Sequence, residues 1–335
     1  MMRETFGTTN DGQTVERVSI ANGGLTANIL TWGTILQDLR LEGHRDPLVL
    51  GFNELASYFD HPHYFGATVG RFANRIANGA FQIDGVSYQL DRNENGQQTL
   101  HGGSLGVSNR NWNIEELSPS SVQLSLASDH GEMGFPGNTR HICTYSILDD
   151  ATLRVELTTT TDAPTIASLA HHSYFTLDDA NDCRNTILTL EADYYLPVNE
   201  HLIPTGEIAP VEGTAFDFRV PKPIGQDVRT DLNYDHNFCL STERTPLRRV
   251  AHANCPSTGL SLEVSSTEPG LQLYCAHGLS VPANGLNGRP YGPFAGFAME
   301  AQCWPDAPNQ SQFPNAVLRP NETLTQITEY RFEKT

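Results

Sequence analysis

Phe81-Gln82-Ile83-Asp84-Gly85-Val86-Ser87-Tyr88-Gln89-Leu90 places apolar residues at alternate positions on both sides of Asp84-Gly85. A period of two marks a strand with one buried face, and Asp-Gly suits the positive φ angles of a two-residue hairpin turn. The same alternation returns in Val122–Leu126, in Leu153–Leu157 and in Leu260–Val264. Near the end, Leu324, Gln326, Thr328, Tyr330 and Phe332 share one face of a further strand. The β-branched run Thr158–Thr161 reads as the end of a strand. Extended helical spacing is hard to find, and Leu55–Phe59 predicts one short helical turn. Many strands joined by short turns argue for an all-β stack rather than alternating β-α units. With no low-complexity linker and no internal repeat, residues 1–335 read as a single β-rich domain.

Charge narrows the function. The chain carries 39 acidic against 21 basic residues, a net charge of −18. That balance repels phosphate backbones and anionic bilayers, so neither nucleic acid nor membrane is expected as a partner. No apolar run is long enough to span a bilayer, and Met1–Val15 lacks the apolar core of a signal peptide. A cytoplasmic location is the expectation. Only Lys222 and Lys334 are lysines, and neither stands in a Gly-Lys-Ser/Thr phosphate loop. Six cysteines are scattered without a Cys-x-x-Cys pair, which predicts free buried thiols.

Motifs that name a chemistry outright are missing: no Gly-x-Ser-x-Gly, no His-Glu-x-x-His, no Gly-x-Gly-x-x-Gly after a strand. His61 and His63 flank a proline, and His171 and His172 would point to opposite faces of a strand. No metal site is expected from either pair. Four segments do combine polar residues with turn-forming glycines: Gly70–Gly79 followed by Leu100–Gly103, Leu169–Leu177, Tyr234–Phe238, and Gly296–Gln302 followed by Trp304–Asn309. Glu300 lies within Phe297-Ala298-Met299-Glu300-Ala301. It is either a carboxylate on the solvent face of a strand or a buried one whose pKa rises toward that of a general base. His172 is either a hydrogen-bonded core residue or a proton-transfer group.

Together these segments resemble the aldose 1-epimerase (galactose mutarotase) family. Gly-Arg-x-x-Asn-Arg-Ile, Gly-x-x-Tyr-x-Leu, Asn-x-x-Gly and Leu-His-Gly-Gly follow one another over residues 70–103. His-Ser-Tyr-Phe-x-Leu, Asp-His-Asn-Phe, Glu-Pro-Gly-x-Gln-x-Tyr (Glu268–Tyr274) and a closing Glu-x-Gln come after them in order. The resemblance implies a large antiparallel β-sandwich of the galactose mutarotase-like supersandwich type, with few short helices and an open sugar cleft. It also implies interconversion of the α and β anomers of a free aldose such as galactose or glucose, without cofactor or metal. Carried onto this chain, it makes His172 the general acid and Glu300 the general base. Asn74, Arg75, His101, Asp235 and Gln272 fall at contacts to sugar hydroxyls, with Ser173 and Tyr174 beside the acid as pocket lining. The partner is a small-molecule sugar, and the protein would be a monomer or a homodimer.

Two departures stand out. His171 replaces an asparagine frequent before the acid, and Thr176 replaces the asparagine of Phe-Asn-Leu. Two other readings fit the same residues. A hexose-6-phosphate 1-epimerase would need arginines at the far end of the cleft, for which Arg71, Arg110 and Arg140 are candidates. A noncatalytic sugar-binding domain on this fold would be expected to lose one of His172 and Glu300, and both are present.

Overall fold

The computed structural model describes residues 2–334. The Asp84-Gly85 hairpin forms as its sequence predicts. Ala80–Ile83 pairs antiparallel with Val86–Gln89, and the turn residues take φ of 51° and 80°. Leu55–Asp60 is the short helix.

Two sheets dominate. One has nine strands, in the order Asn113–Leu117, Ser121–Ser128, Thr139–Leu148, Thr152–Thr161, Thr323–Lys334, Leu260–Ser266, Arg248–Cys255, Ile187–Leu190 and Lys222–Pro223. The other has six, in the order Tyr174–Phe175, Phe297–Gln302, Gly270–Tyr274, Asp235–Cys239, Tyr194–Tyr195 and Ala209–Pro210. A four-stranded sheet over residues 2–41 and several two-stranded ribbons accompany them. The strands named from the sequence all lie where the alternation put them, and Leu324, Gln326, Thr328, Tyr330 and Phe332 are all buried.

The main core fills the space between the two large sheets. Leu124, Tyr145, Val155, Leu262 and Tyr330 on the nine-stranded side share a cluster with Phe175, Phe238, Leu271, Leu273, Phe297 and Met299 on the six-stranded side. Alternation therefore turns Tyr174, Asp235, Gln272 and Glu300 to the opposite face of the six-stranded sheet. The pairing Gln272↔Glu300 and Asn237↔Gln272 sets these side chains in adjacent rows. All six cysteines are buried free thiols, and no described helix is long and apolar enough to cross a membrane.

His141 lies fully buried in the nine-stranded sheet, between the hydroxyls of Thr139 and Thr159 at 3.0 Å each. Burial lowers its pKa to about 3, helped by the Arg71 charge. The unfolded chain, with an ordinary histidine pKa near 6.5, then binds more protons between pH 6.5 and 3. Stability is complete above pH 6.5 and is lost as pH falls through that window. His141→Gln is expected to flatten the fall in unfolding free energy between pH 6.5 and 5 by up to about 1.4 kcal/mol per pH unit. Urea unfolding of both proteins measures this, and parallel slopes would contradict it.

Candidate functional site

A cleft of about 420 Å³ opens on the polar face of the six-stranded sheet. Asn74, Arg75, His101, His172, Tyr174, Asp235 and Glu300 all line it, together with Pro62, His63, Tyr64, Leu100, Leu202, Tyr274 and His277. Residues from eight separate stretches of sequence are thus brought to one wall.

Local chemistry explains how each stretch delivers its side chain. Asn74 takes φ 63°, a conformation asparagine tolerates, and its Oδ1 accepts from the Arg75 N–H at 2.8 Å. Arg75–Ile76 pairs with Thr99–Leu100, which sets His101 beside Asn74. Gly102 follows with φ +86°, and a Cβ there would fall 2.0 Å from the Gly70 carbonyl oxygen, so only glycine fits. Asp306 secures the same corner. Its N–H donates to the Arg75 carbonyl at 2.9 Å, and its Oδ1 accepts from the Ala77 N–H at 2.9 Å. Ala170–His172 pairs with Ala67–Val69 at the head of the cleft.

At the floor, His172 Nε2 stands 3.5 Å from Glu300 Oε1, and both residues are buried. Burial raises the Glu300 pKa well above the ordinary carboxyl range; Asp235 adds to the rise and Arg75 partly opposes it. Burial lowers His172 to about 4. The two shifts run in opposite directions, so carboxyl and imidazole are drawn toward sharing one proton between them. Around it, Arg75 donates from Nε and Nη2 to both oxygens of Glu94 at 2.8 and 2.9 Å, and its Nη1 lies 3.8 Å from Asp235. Gln272 Nε2 donates to Asp235 Oδ1 at 2.6 Å.

His171 turns the other way, as strand geometry requires. Tyr145 Oη donates to the Thr34 carbonyl at 2.8 Å, so His171 Nδ1 donates to Tyr145 Oη at 3.1 Å. Its ring packs against Tyr145 and Tyr330 beneath the sheet, away from the cleft. Ser173 needs correction as a pocket-lining residue. It is buried with its hydroxyl shielded, and the cleft wall passes from His172 to Tyr174 without it. Successive side chains of extended chain point to opposite sides. Gln272 sits one layer back, touching Asp235 rather than forming the wall.

His63, Tyr64, Leu202, Tyr274 and His277 complete the wall without a sequence signal that placed them there. Tyr64 has φ 60°, rare for an aromatic residue. Its ring packs 4.6 Å from His101 and 5.8 Å from His172, centroid to centroid. Only the motif Glu268–Tyr274 hinted at Tyr274.

His101, His172 and Glu300 bring potential metal-ligand atoms within 4.8 Å of one another. The donor chemistry of His101 argues against ligation. Its Nδ1 accepts from the Asn74 N–H at 3.1 Å, and burial keeps the ring neutral. The ring proton is therefore on Nε2, and no lone pair is left for a cation. What His101 offers the cleft is an N–H donor.

Residues 16–331 match the family model described as aldose 1-epimerase. Galactose mutarotase from Homo sapiens is 42% identical over 96% of this chain and 95% of its own length. Aldose 1-epimerase from Escherichia coli (strain K12) is 34% identical over 99% of each chain. Among solved structures, an aldose epimerase homologue from C. elegans superposes with a TM-score of 0.89 at 31% identity, covering 95% of this chain and 99% of that one. The chain belongs to the aldose 1-epimerase family.

His101 is expected to hold its single ring proton on Nε2 at neutral pH. Long-range ¹⁵N–¹H NMR distinguishes the tautomers, and an Nδ1–H signature would remove the argument against metal ligation.

Proposed function

We propose that the protein interconverts the anomers of a free, uncharged aldose, with Glu300 and His172 exchanging one proton with the sugar. The observation that carries this is the 3.5 Å carboxyl–imidazole contact at the floor of a cleft walled by hydrogen-bonding groups. Ring opening removes a proton from the C1 hydroxyl and delivers one to the ring oxygen. The C1–O5 bond breaks, the C1–C2 bond of the open aldehyde rotates, and reclosure reverses both transfers. In opening, Glu300 acts as base toward the C1 hydroxyl and protonated His172 as acid toward the ring oxygen. The pair's one proton reaches His172 by internal exchange, so the net charge of the site does not change. Such a well-placed group contributes about 10²–10⁴-fold. Asn74, Arg75, His101 and Asp235 hold the ring hydroxyls, and Gln272 steadies Asp235.

The hexose-6-phosphate reading loses its support. Arg71 is buried and donates to the carbonyls of Pro136 and Gly137, Arg110 pairs with Glu132, and Arg140 pairs with Glu115. None of the three lines the cleft. The binding-domain reading would leave the shared proton of Glu300 and His172 without a use. Six reduced thiols suit a cytoplasmic protein acting on a diffusible sugar, as monomer or homodimer.

The decisive experiment follows the optical rotation of freshly dissolved α-D-galactose and α-D-glucose with chelator-treated protein. Faster decay of rotation is expected, and no acceleration with either sugar would overturn the reading. Glu300→Gln and His172→Asn should each lower turnover by at least about 10²-fold with the fold intact, whereas His171→Asn should be far milder. The reverse order of the two histidine variants would reassign the acid. The profile of kcat/KM should be flat through neutrality. It should fall on the acid side near pH 4, where the pair takes a second proton, and on the alkaline side where it loses its only one. An acid limb unchanged in His172→Asn would contradict that assignment.

A further inference from the structure

Among the described residues, Arg75 is the only lysine or arginine in the cleft wall. Its guanidinium is already committed: Nε and Nη2 form a two-point pair with Glu94, and Nη1 faces Asp235. Glu94 is itself fixed. Its Oε2 accepts from Gln98 Nε2 at 2.6 Å, and the same nitrogen donates to the His201 carbonyl at 3.1 Å, beside Leu202 of the cleft wall. An arginine usually recognises a phosphate or carboxylate through its two-donor fork. Here an internal carboxylate takes the fork.

We propose that Glu94 sets the charge selectivity of the cleft, cancelling the Arg75 charge so that neutral aldoses are accepted and phosphorylated or other anionic sugars are rejected. This rests on the aldose reading above and names the substrate class more narrowly. One positive charge faces two carboxylates, Glu94 and Asp235, and the Glu300–His172 pair with its one proton adds no net charge. An incoming anion therefore meets a negative field. The histidines do not reverse it, since His101, His172, His63 and His277 are all shifted toward the neutral form by burial. Arg75 keeps its hydrogen-bonding edge toward sugar hydroxyls while its net charge is hidden, which is selection by repulsion of the wrong ligand.

The test compares wild type, Glu94→Gln and Glu94→Asp. Glutamine keeps the side chain's shape and removes its charge; aspartate keeps the charge on a shorter arm. Inorganic phosphate and galactose 6-phosphate are titrated as inhibitors of galactose mutarotation, with ionic strength held constant by chloride. Phosphate binding to the same three proteins is followed in parallel by calorimetry. Wild type and Glu94→Asp should respond to phosphate no more than to chloride, whereas Glu94→Gln should bind it at least about tenfold more tightly. Equal phosphate sensitivity in all three proteins would overturn the proposal. So would a rise in galactose KM in both variants without any gain in phosphate binding, which would leave Glu94 a purely structural partner of Arg75. Wild-type protein that turns over no neutral aldose would instead defeat the parent reading, and the calorimetric comparison would still decide the role of Glu94.

Discussion

A strand buried on both faces must satisfy two opposite demands with one alternating sequence, and the site is built on such a strand. Phe297–Gln302 is buried at every position. Phe297, Met299 and Ala301 belong to the core shared with the nine-stranded sheet, so Glu300 can only face the cleft. Fully burying a large apolar side chain contributes about 1.5–3 kcal/mol, while an unpaired buried carboxylate costs several. The apolar face of the strand thus holds Glu300 in place against its own desolvation. A slip of one residue would exchange the two faces completely, so the site's geometry and the core's integrity are the same constraint.

The site's polar groups are largely oriented before any ligand arrives. Arg75 is fixed by Glu94, Asp235 by Gln272, and His101 by the Asn74 backbone. Donors and acceptors held in this way need little reorganisation during reaction, which is the main source of electrostatic catalysis. The carboxyl and imidazole at the floor are different. Among the described residues, Glu300 Oε2 and His172 Nδ1 find no hydrogen-bond partner. They are the groups left free to change protonation, and Tyr64 packs the imidazole into position without bonding it.

Much of this was legible in the chain because it depends on local order. Alternation located the long strands, Asp84-Gly85 located the hairpin, and an isolated glutamate within Phe297–Ala301 posed the question that burial answers. Alternation also separates His171 from His172, and the same rule, applied one residue further, takes Ser173 out of the wall. The rest was hidden because it arises from contacts between distant loops. Tyr64 reaches the site through a positive φ that its sequence does not announce. Glu94 occupies an unspecified place of the Asn-x-x-Gly turn, yet it is the partner that occupies Arg75. Leu202, His63 and His277 enter on connections whose paths only the sheet order defines.

The order of the nine-stranded sheet has a consequence for how the molecule comes to exist. Thr323–Lys334 lies at the centre, bonded to Thr152–Thr161 on one side and Leu260–Ser266 on the other. The strand Thr152–Thr161 must wait for a neighbour roughly 170 residues further along the chain, the kind of distant pairing that slows folding. Until it arrives, two half-sheets present open hydrogen-bonding edges, the surfaces most prone to self-association. Placing that one strand joins the halves and covers both inner edges at once.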